Sequence, residues 1–294
     1  MMEQSECDSK GKLYLCATPI GNLGDMTYRA VGMLESADII AAEDTRHTRK
    51  LLSHFDIHTP LVSYHEHNKY EKGPILIDEM LSGKTVVCVS DAGMPGISDP
   101  GSHLAELAIS ARIDVSPLPG ANAALSALIC SGLDTRQFFF VGFLPRTGQK
   151  RREVLEDVSG IHHTLIFYEA PHHLRATLKD LCDALGSDRR AVAARELTKK
   201  FEEFRRDTLG GLCMYYNENE PRGEFVIIVD GMSDTDAGGN EDSDMPHEKC
   251  LELAVQMYDR LIADGTQKKE AMRTAAHHYG ISRRDVYQEV EKRK

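Results

Sequence analysis

The sequence predicts an α/β protein with two sheet-containing halves and a helical tail. Three observations lead there. Short β-branched runs alternate with stretches of helical period from residue 12 to residue 231. Gly- and Pro-rich loops follow the apolar runs, where open α/β sheets take their ligands. Residues 247–294 lose the strand signal and keep only the helical one.

The first half opens with KLYLCAT (12–18) as a strand and MTYRAVGMLESA (26–37) as a helix. ADIIAAED (37–44) reads as a second strand, and TRKLLSHF (48–55) starts another helix. PILIDEMLSG (74–83) is helical with Gly83 as its cap, and KTVVCVSD (84–91) is a buried strand. HLAELAISA (103–111) and IDVSPLPG (113–120) complete this half as helix and strand. Helices of this length between strands imply a mostly parallel sheet.

A second βα series follows. ANAALSALICSGL (121–133) is a helix, and FFFVGFL (138–144) and HTLIFYEA (163–170) are strands. HHLRATLKDLCDALG (172–186) is a helix, RAVAARELT (190–198) a strand and EFVIIVDG (224–231) a late strand. The expected organisation is a disordered leader (1–11), α/β domains at 12–120 and 121–231, an acidic linker (232–246) and a helical tail (247–294). In the tail, Leu251, Ala254, Tyr258 and Leu261 share a helical face, and Ala276, Gly280 and Val286 have helix-turn-helix spacing. An ordinary helical hairpin fits that spacing too.

Composition narrows the function classes. No apolar run approaches the ~20 residues of a membrane span, and the polar, acidic first residues do not resemble a secretory signal. Seven cysteines without a CxxC pair suit reduced thiols in a cytosol. A net charge of −11 disfavours general nucleic-acid affinity. The charge is uneven, however. Segment 233–248 carries six acidic residues and no Lys or Arg, whereas LPRTGQKRR (144–152) carries four basic residues and no acid.

Three loops carry the chemical signal. TPIGNLGDMT (18–27) leaves the first strand without a GxGxxG or Walker pattern, so triphosphate binding has no support. VSDAGMPGISDPG (89–101) has three glycines and two prolines after a buried strand, with Asp91 and Asp99 inside it. Such a loop exposes backbone groups to a flat polar ligand; as plain structure, its aspartates cap helices. PLPGANAALSAL (117–128) opens a helix at the domain junction with free N–H groups.

Together with IIAAEDTRHTRKLL, FVGFLPR, LIFYEAPHHL, ARELTKKFEE and GEFVIIVDG, these loops resemble the tetrapyrrole methylase superfamily, and within it the ribosomal RNA small subunit methyltransferase I family. The resemblance covers residues 12–231 in order, and the tail resembles that family's C-terminal unit. It implies a class III methyltransferase: two α/β domains with S-adenosylmethionine in the cleft, a helix-turn-helix-like tail and a homodimer; the cysteine pattern above adds the expectation of a cytoplasmic location. It also implies 2′-O-methylation of a decoding-centre cytidine in the 16S rRNA of the small ribosomal subunit, with S-adenosylhomocysteine as product. By position, Pro19 and Gly21 line the cofactor side of the first loop. Asp91, Ala92, Gly93, Ile97 and Ser98 form the main wall, and Ala121 and Asn122 close it. One departure is visible: Ala170 and His173 stand where Ser and Arg are expected.

Methyl transfer to a ribose hydroxyl benefits from positioning and from a base. The candidates are Asp25, Glu43, Asp44, His65, Glu169 and Glu196, and the strand-end positions favour Glu169 and Glu196. Glu43, Asp44 and Arg46 also fit a local capping network. Lys199 or Arg195 steadies a phosphate or the developing alkoxide. Arg146, Lys150, Arg151 and Arg152 form a basic loop suited to rRNA phosphates. His65 and His67 share a strand face without a third ligand, so no metal is expected. Tetrapyrrole C-methylation and a non-enzymatic rRNA assembly factor are the competing functions.

Overall fold

The computed structural model describes residues 10–146, 148–232, 247–263, 265–279, 281 and 283–292. The expected leader up to residue 9, the expected linker from 233 to 246, Thr147 and Gly280 lie outside the described residues. Two compact units emerge. One joins Thr164–Asp230 to the described chain up to Leu155, and the other joins Glu156–His163 to the described chain from Gly231 onward.

The first unit holds two five-stranded sheets. Sheet one comprises β1 (Lys12–Cys16), β2 (Ile39–Ala42), β3 (Leu61–Ser63), β4 (Val86–Val89) and β5 (Asp114–Leu118). Every pairing in it is parallel, in the order β3-β2-β4-β1-β5. The strand period of two sorts its residues onto two faces. Val87 and Val89 pack with Ile40, Cys16 and residues of α1 (Tyr28–Ser36) and α2 (Thr45–His54). Val86 and Cys88 pack with Leu13, Ala41 and residues of α3 (Lys69–Leu81) and α4 (Gly101–Ser110). Coverage on both faces explains why β4 is buried throughout. Pro117 is tolerated because β5 is an edge strand.

Sheet two contains β6 (Phe138–Phe143), β7 (Thr164–Glu169), β8 (Arg190–Arg195), β9 (Glu203–Thr208) and β10 (Phe225–Val229), in the order β6-β7-β10-β8-β9. Here the pairing is mostly antiparallel. Only β6 and β7 run parallel, while β10 runs antiparallel to β7 and β8, and β9 antiparallel to β8. The β8–β9 connection is too short for a parallel crossover, so a hairpin is the available solution. α5 (Ala123–Ser131) covers one face through Ala124, Ala127 and Leu128 against Ile166, Val192 and Ile228. α7 (Leu174–Leu185) packs on α8 (Leu209–Glu218), which meets β8 and β9.

The predicted basic loop differs as well. Residues 149–152 open α6 (Gln149–Ser159) instead of lying in a turn. β3 ends at Ser63, so His65 and His67 occupy the turn beyond it and not a strand face. In the second unit, α9 (His247–Ala263), α10 (Lys268–His278) and α11 (Arg283–Lys292) enclose a core of their own. It includes Ala254, Tyr258, Ala276 and Val286. No helix among the described residues is long and apolar enough to cross a membrane.

Candidate active site

The loops after β1 and β4 are clasped together at the carboxyl edge of sheet one. Thr18 and Gly93 exchange backbone hydrogen bonds, with Thr18 N donating at 2.9 Å and Gly93 N at 3.0 Å. Gly93 sits at φ +81°, a conformation that L side chains rarely adopt, so this bridge needs a glycine. Asp99 Oδ1 accepts from Gly96 N and Gly101 N, both at 2.8 Å, and pins the Gly-Pro loop to the start of α4. Asp91 Oδ1 accepts from Asp44 N at 3.0 Å and ties that loop to the end of β2. Ser98 is held at φ +67°, an unfavourable conformation for a non-glycine residue.

These loops form one wall of a cleft of about 350 Å³. Asp91–Met94 and Ile97–Asp99 line it from sheet one, and Asn122 and Ala123 from the junction. Tyr168–Ala170, Leu197, Lys199 and Glu224–Val226 line it from sheet two. Asn122 caps α5 by accepting from Leu125 N at 2.9 Å. Tyr168 Oη accepts from Ala124 N at 3.2 Å, bracing that helix start against β7.

The cleft is acidic. Glu43, Asp91, Asp99, Glu169 and Glu224 line it, with Lys199 as the one cation among the lining residues. Lys199 Nζ donates to Glu196 Oε1 and Glu224 Oε2, both at 2.8 Å. Burial works against the Lys199 charge, but these two carboxylates outweigh it and raise the group above its ordinary value. The same ion pair holds Glu196 below its ordinary range. Glu43 shifts the other way. Burial first, then the charges of Asp91 and Asp99, push its carboxyl upward.

The structure distributes the predicted residues unevenly. Asp91, Ala92, Gly93, Ile97, Ser98 and Asn122 line the cleft, as do Glu169 and Lys199. Pro19, Gly21, Ala121 and Glu196 are not among its lining residues. Gly21 nevertheless has a specific task, since a Cβ there would sit 2.4 Å from Lys199 Cγ. The lysine stem therefore passes over a backbone that only glycine leaves open. Glu169 is buried, with Oε1 accepting from Ala170 N at 2.8 Å and Oε2 from Thr177 Oγ1 at 2.5 Å. Both of its oxygens already hold the turn into α7.

Of the basic residues, Arg146, Lys150 and Arg152 are exposed. Arg151 is not available to a phosphate. Its guanidinium bonds Asp180 Oδ2 at 2.7 Å, Pro145 O at 2.9 Å and Thr177 Oγ1 at 2.9 Å. Asp44 and Arg46 form the local capping pair, with Asp44 as N-cap of α2 and a 2.7 Å ion pair between them. Arg195 pairs with Glu203 at 3.1 Å. Among the described residues no group of three His, Cys, Asp or Glu is gathered as metal ligands.

Leu197, Glu224, Phe225 and Val226 reach the cleft although the sequence, which marks their stretches ARELTKKFEE and GEFVIIVDG, gives them no site role. Leu197 lies between Glu196 at φ +52° and Thr198 at φ +65°, two left-handed non-glycine residues that turn the chain into the cleft.

The family model described as Tetrapyrrole (Corrin/Porphyrin) Methylases matches residues 12–213. A protein of Halalkalibacterium halodurans named Ribosomal RNA small subunit methyltransferase I is 51% identical over 282 residues, 95% of this chain and 94% of that protein. A Bacillus subtilis protein of the same name is 46% identical over 278 residues, 94% of this chain and 93% of that protein. Among solved structures, a uroporphyrin-III C-methyl transferase from Thermus thermophilus, complexed with S-adenyl homocysteine, is similar with a TM-score of 0.53. It is 18% identical, covers 75% of this chain and 97% of its own, and speaks for the fold alone.

Proposed function

The chain belongs to the tetrapyrrole methylase family and, within it, to the ribosomal RNA small subunit methyltransferase I family, and we propose that it methylates the ribose 2′-hydroxyl of a decoding-centre cytidine in 16S rRNA with S-adenosylmethionine as donor. The observation that carries the cofactor part is the charge of the cleft. Five carboxylates against one paired ammonium suit a ligand bearing a sulfonium and an ammonium. The apolar side chains of Ile97, Leu197 and Val226 suit its adenine ring. A related fold holds S-adenyl homocysteine in the Thermus protein.

When bound, S-adenosylmethionine supplies a methyl carbon already activated by the sulfonium. The protein positions the acceptor and accepts its proton. Glu43 is the carboxylate best suited to that second task. It lines the cleft, and its raised pKa makes it a better base than a freely solvated glutamate. Glu169 is committed to its turn and Glu196 to Lys199. Lys199, held charged by two carboxylates, faces the cleft where it can steady the developing alkoxide. Arg146, Lys150 and Arg152 contribute cations for rRNA phosphates.

Labelled methyl transfer tests the acceptor class. Small subunits lacking the modification are expected to take up label while uroporphyrinogen does not, and the reverse would overturn the reading. Calorimetry with S-adenosylhomocysteine tests the cofactor loop, where Gly93→Val is expected to abolish binding.

A further inference from the structure

The acidic cleft poses a problem for a polyanionic acceptor, because its carboxylates repel phosphates as strongly as they suit a cationic cofactor. The chain as a whole carries a net charge of −11. An RNA strand therefore needs a cationic surface next to the cleft.

α2 supplies one. Among the described helices that carry Lys or Arg, it is the one without Asp or Glu. Thr48, Leu51 and Leu52 face inward, while Arg46, His47, Arg49 and Lys50 are exposed. Arg46 is folded back onto Asp44. Arg49 and Lys50 have no carboxylate partner among the described residues. The helix starts directly after Glu43 lines the cleft, and Asp44 at its N-cap is bonded to Asp91.

α1 lies on the same face of sheet one, since Ala30 and Leu34 share a core cluster with Leu52. It begins with Tyr28, which is 100% exposed, followed by exposed Arg29. A phenol ring left wholly in water contributes nothing to the core, but it offers a face on which an unpaired base can stack.

We propose that the α1–α2 face is the docking surface for a single-stranded segment of the RNA acceptor, with Arg29, Arg49 and Lys50 on phosphates and Tyr28 under a base. The proposal rests on the reading of RNA as substrate. It gives Arg49 and Lys50 a part separate from Lys150 and Arg152 on α6.

The test is equilibrium binding of the full chain to 16S rRNA across a salt series. For single strands each phosphate contact contributes roughly 0.7 to the slope of log affinity against log salt. The double variant Arg49→Ala/Lys50→Ala is expected to lose about 1.4 of that slope and to bind at least tenfold more weakly at low salt. Tyr28→Ala is expected to lose about tenfold at an unchanged slope. S-adenosylhomocysteine binding serves as the control for folding and stays at the parent value in each variant. If the parent binds RNA and the double variant matches its affinity and slope, the docking surface is wrong and the function stands. If the parent binds no small-subunit RNA, the substrate reading fails and this surface with it.

Discussion

Single residues decide how the cleft is charged. Glu43 carries a raised pKa, so its proton is held more tightly in the folded chain than in the unfolded one. Stability assigned to this group is therefore present at low pH and lost as pH rises through its folded value. Glu43→Gln is expected to raise thermal stability at neutral pH and to slow methyl transfer, with the acid limb of the parent's pH–rate profile absent. Unchanged turnover across pH would remove Glu43 from the mechanism. Gly21 acts through a neighbour. Gly21→Ala drives a Cβ into Lys199 Cγ, so the ammonium must leave Glu196 and Glu224. Turnover is expected to fall by about 10- to 100-fold, with the melting temperature nearly constant. The sequence marked Gly21 as cofactor-lining; its close approach to Lys199 was not legible, because the two residues meet only through the fold.

At the scale of elements, legibility followed hydrophobic pattern. β1, β2, β4 and the helices of sheet one could be read because two covered faces demand continuous apolar strands. β3 was missed because it has three residues and only partial burial. β9 was missed because its sequence, EFRRDT, is charged, as an edge strand permits. The antiparallel order of sheet two hinges on β10, buried along all five residues between β7 and β8. Its central Ile227 is fully buried, so Ile227→Ala is expected to cost about 2–5 kcal/mol in urea unfolding. A loss near zero would mean that β10 is not the centre of the sheet. Much of the cleft lining from sheet two came from Leu197 and Glu224–Val226, segments whose sequence gives no sign that they converge.

For the whole molecule, the homodimer that the sequence resemblance implies is an expectation, and exposed apolar residues offer a surface on which to test it. Edge strand β6 exposes Phe138, Phe139 and Phe143, and α5 exposes Leu125 and Ile129. Sedimentation is expected to show a dimer, and Phe139→Glu is expected to shift it toward monomer; a parent that stays monomeric at all concentrations contradicts this. On the proposed reading, function depends on a division of charge, with the acidic cleft taking a cationic donor and Arg29, Arg49 and Lys50 outside it taking the RNA. The most direct measurement is mass spectrometry of nucleosides from small ribosomal subunits that lack the modification, after incubation with the protein and S-adenosylmethionine. The account predicts new 2′-O-methylcytidine with the parent and none with Gly93→Val. No methylated nucleoside, from a protein that binds the cofactor, would contradict it.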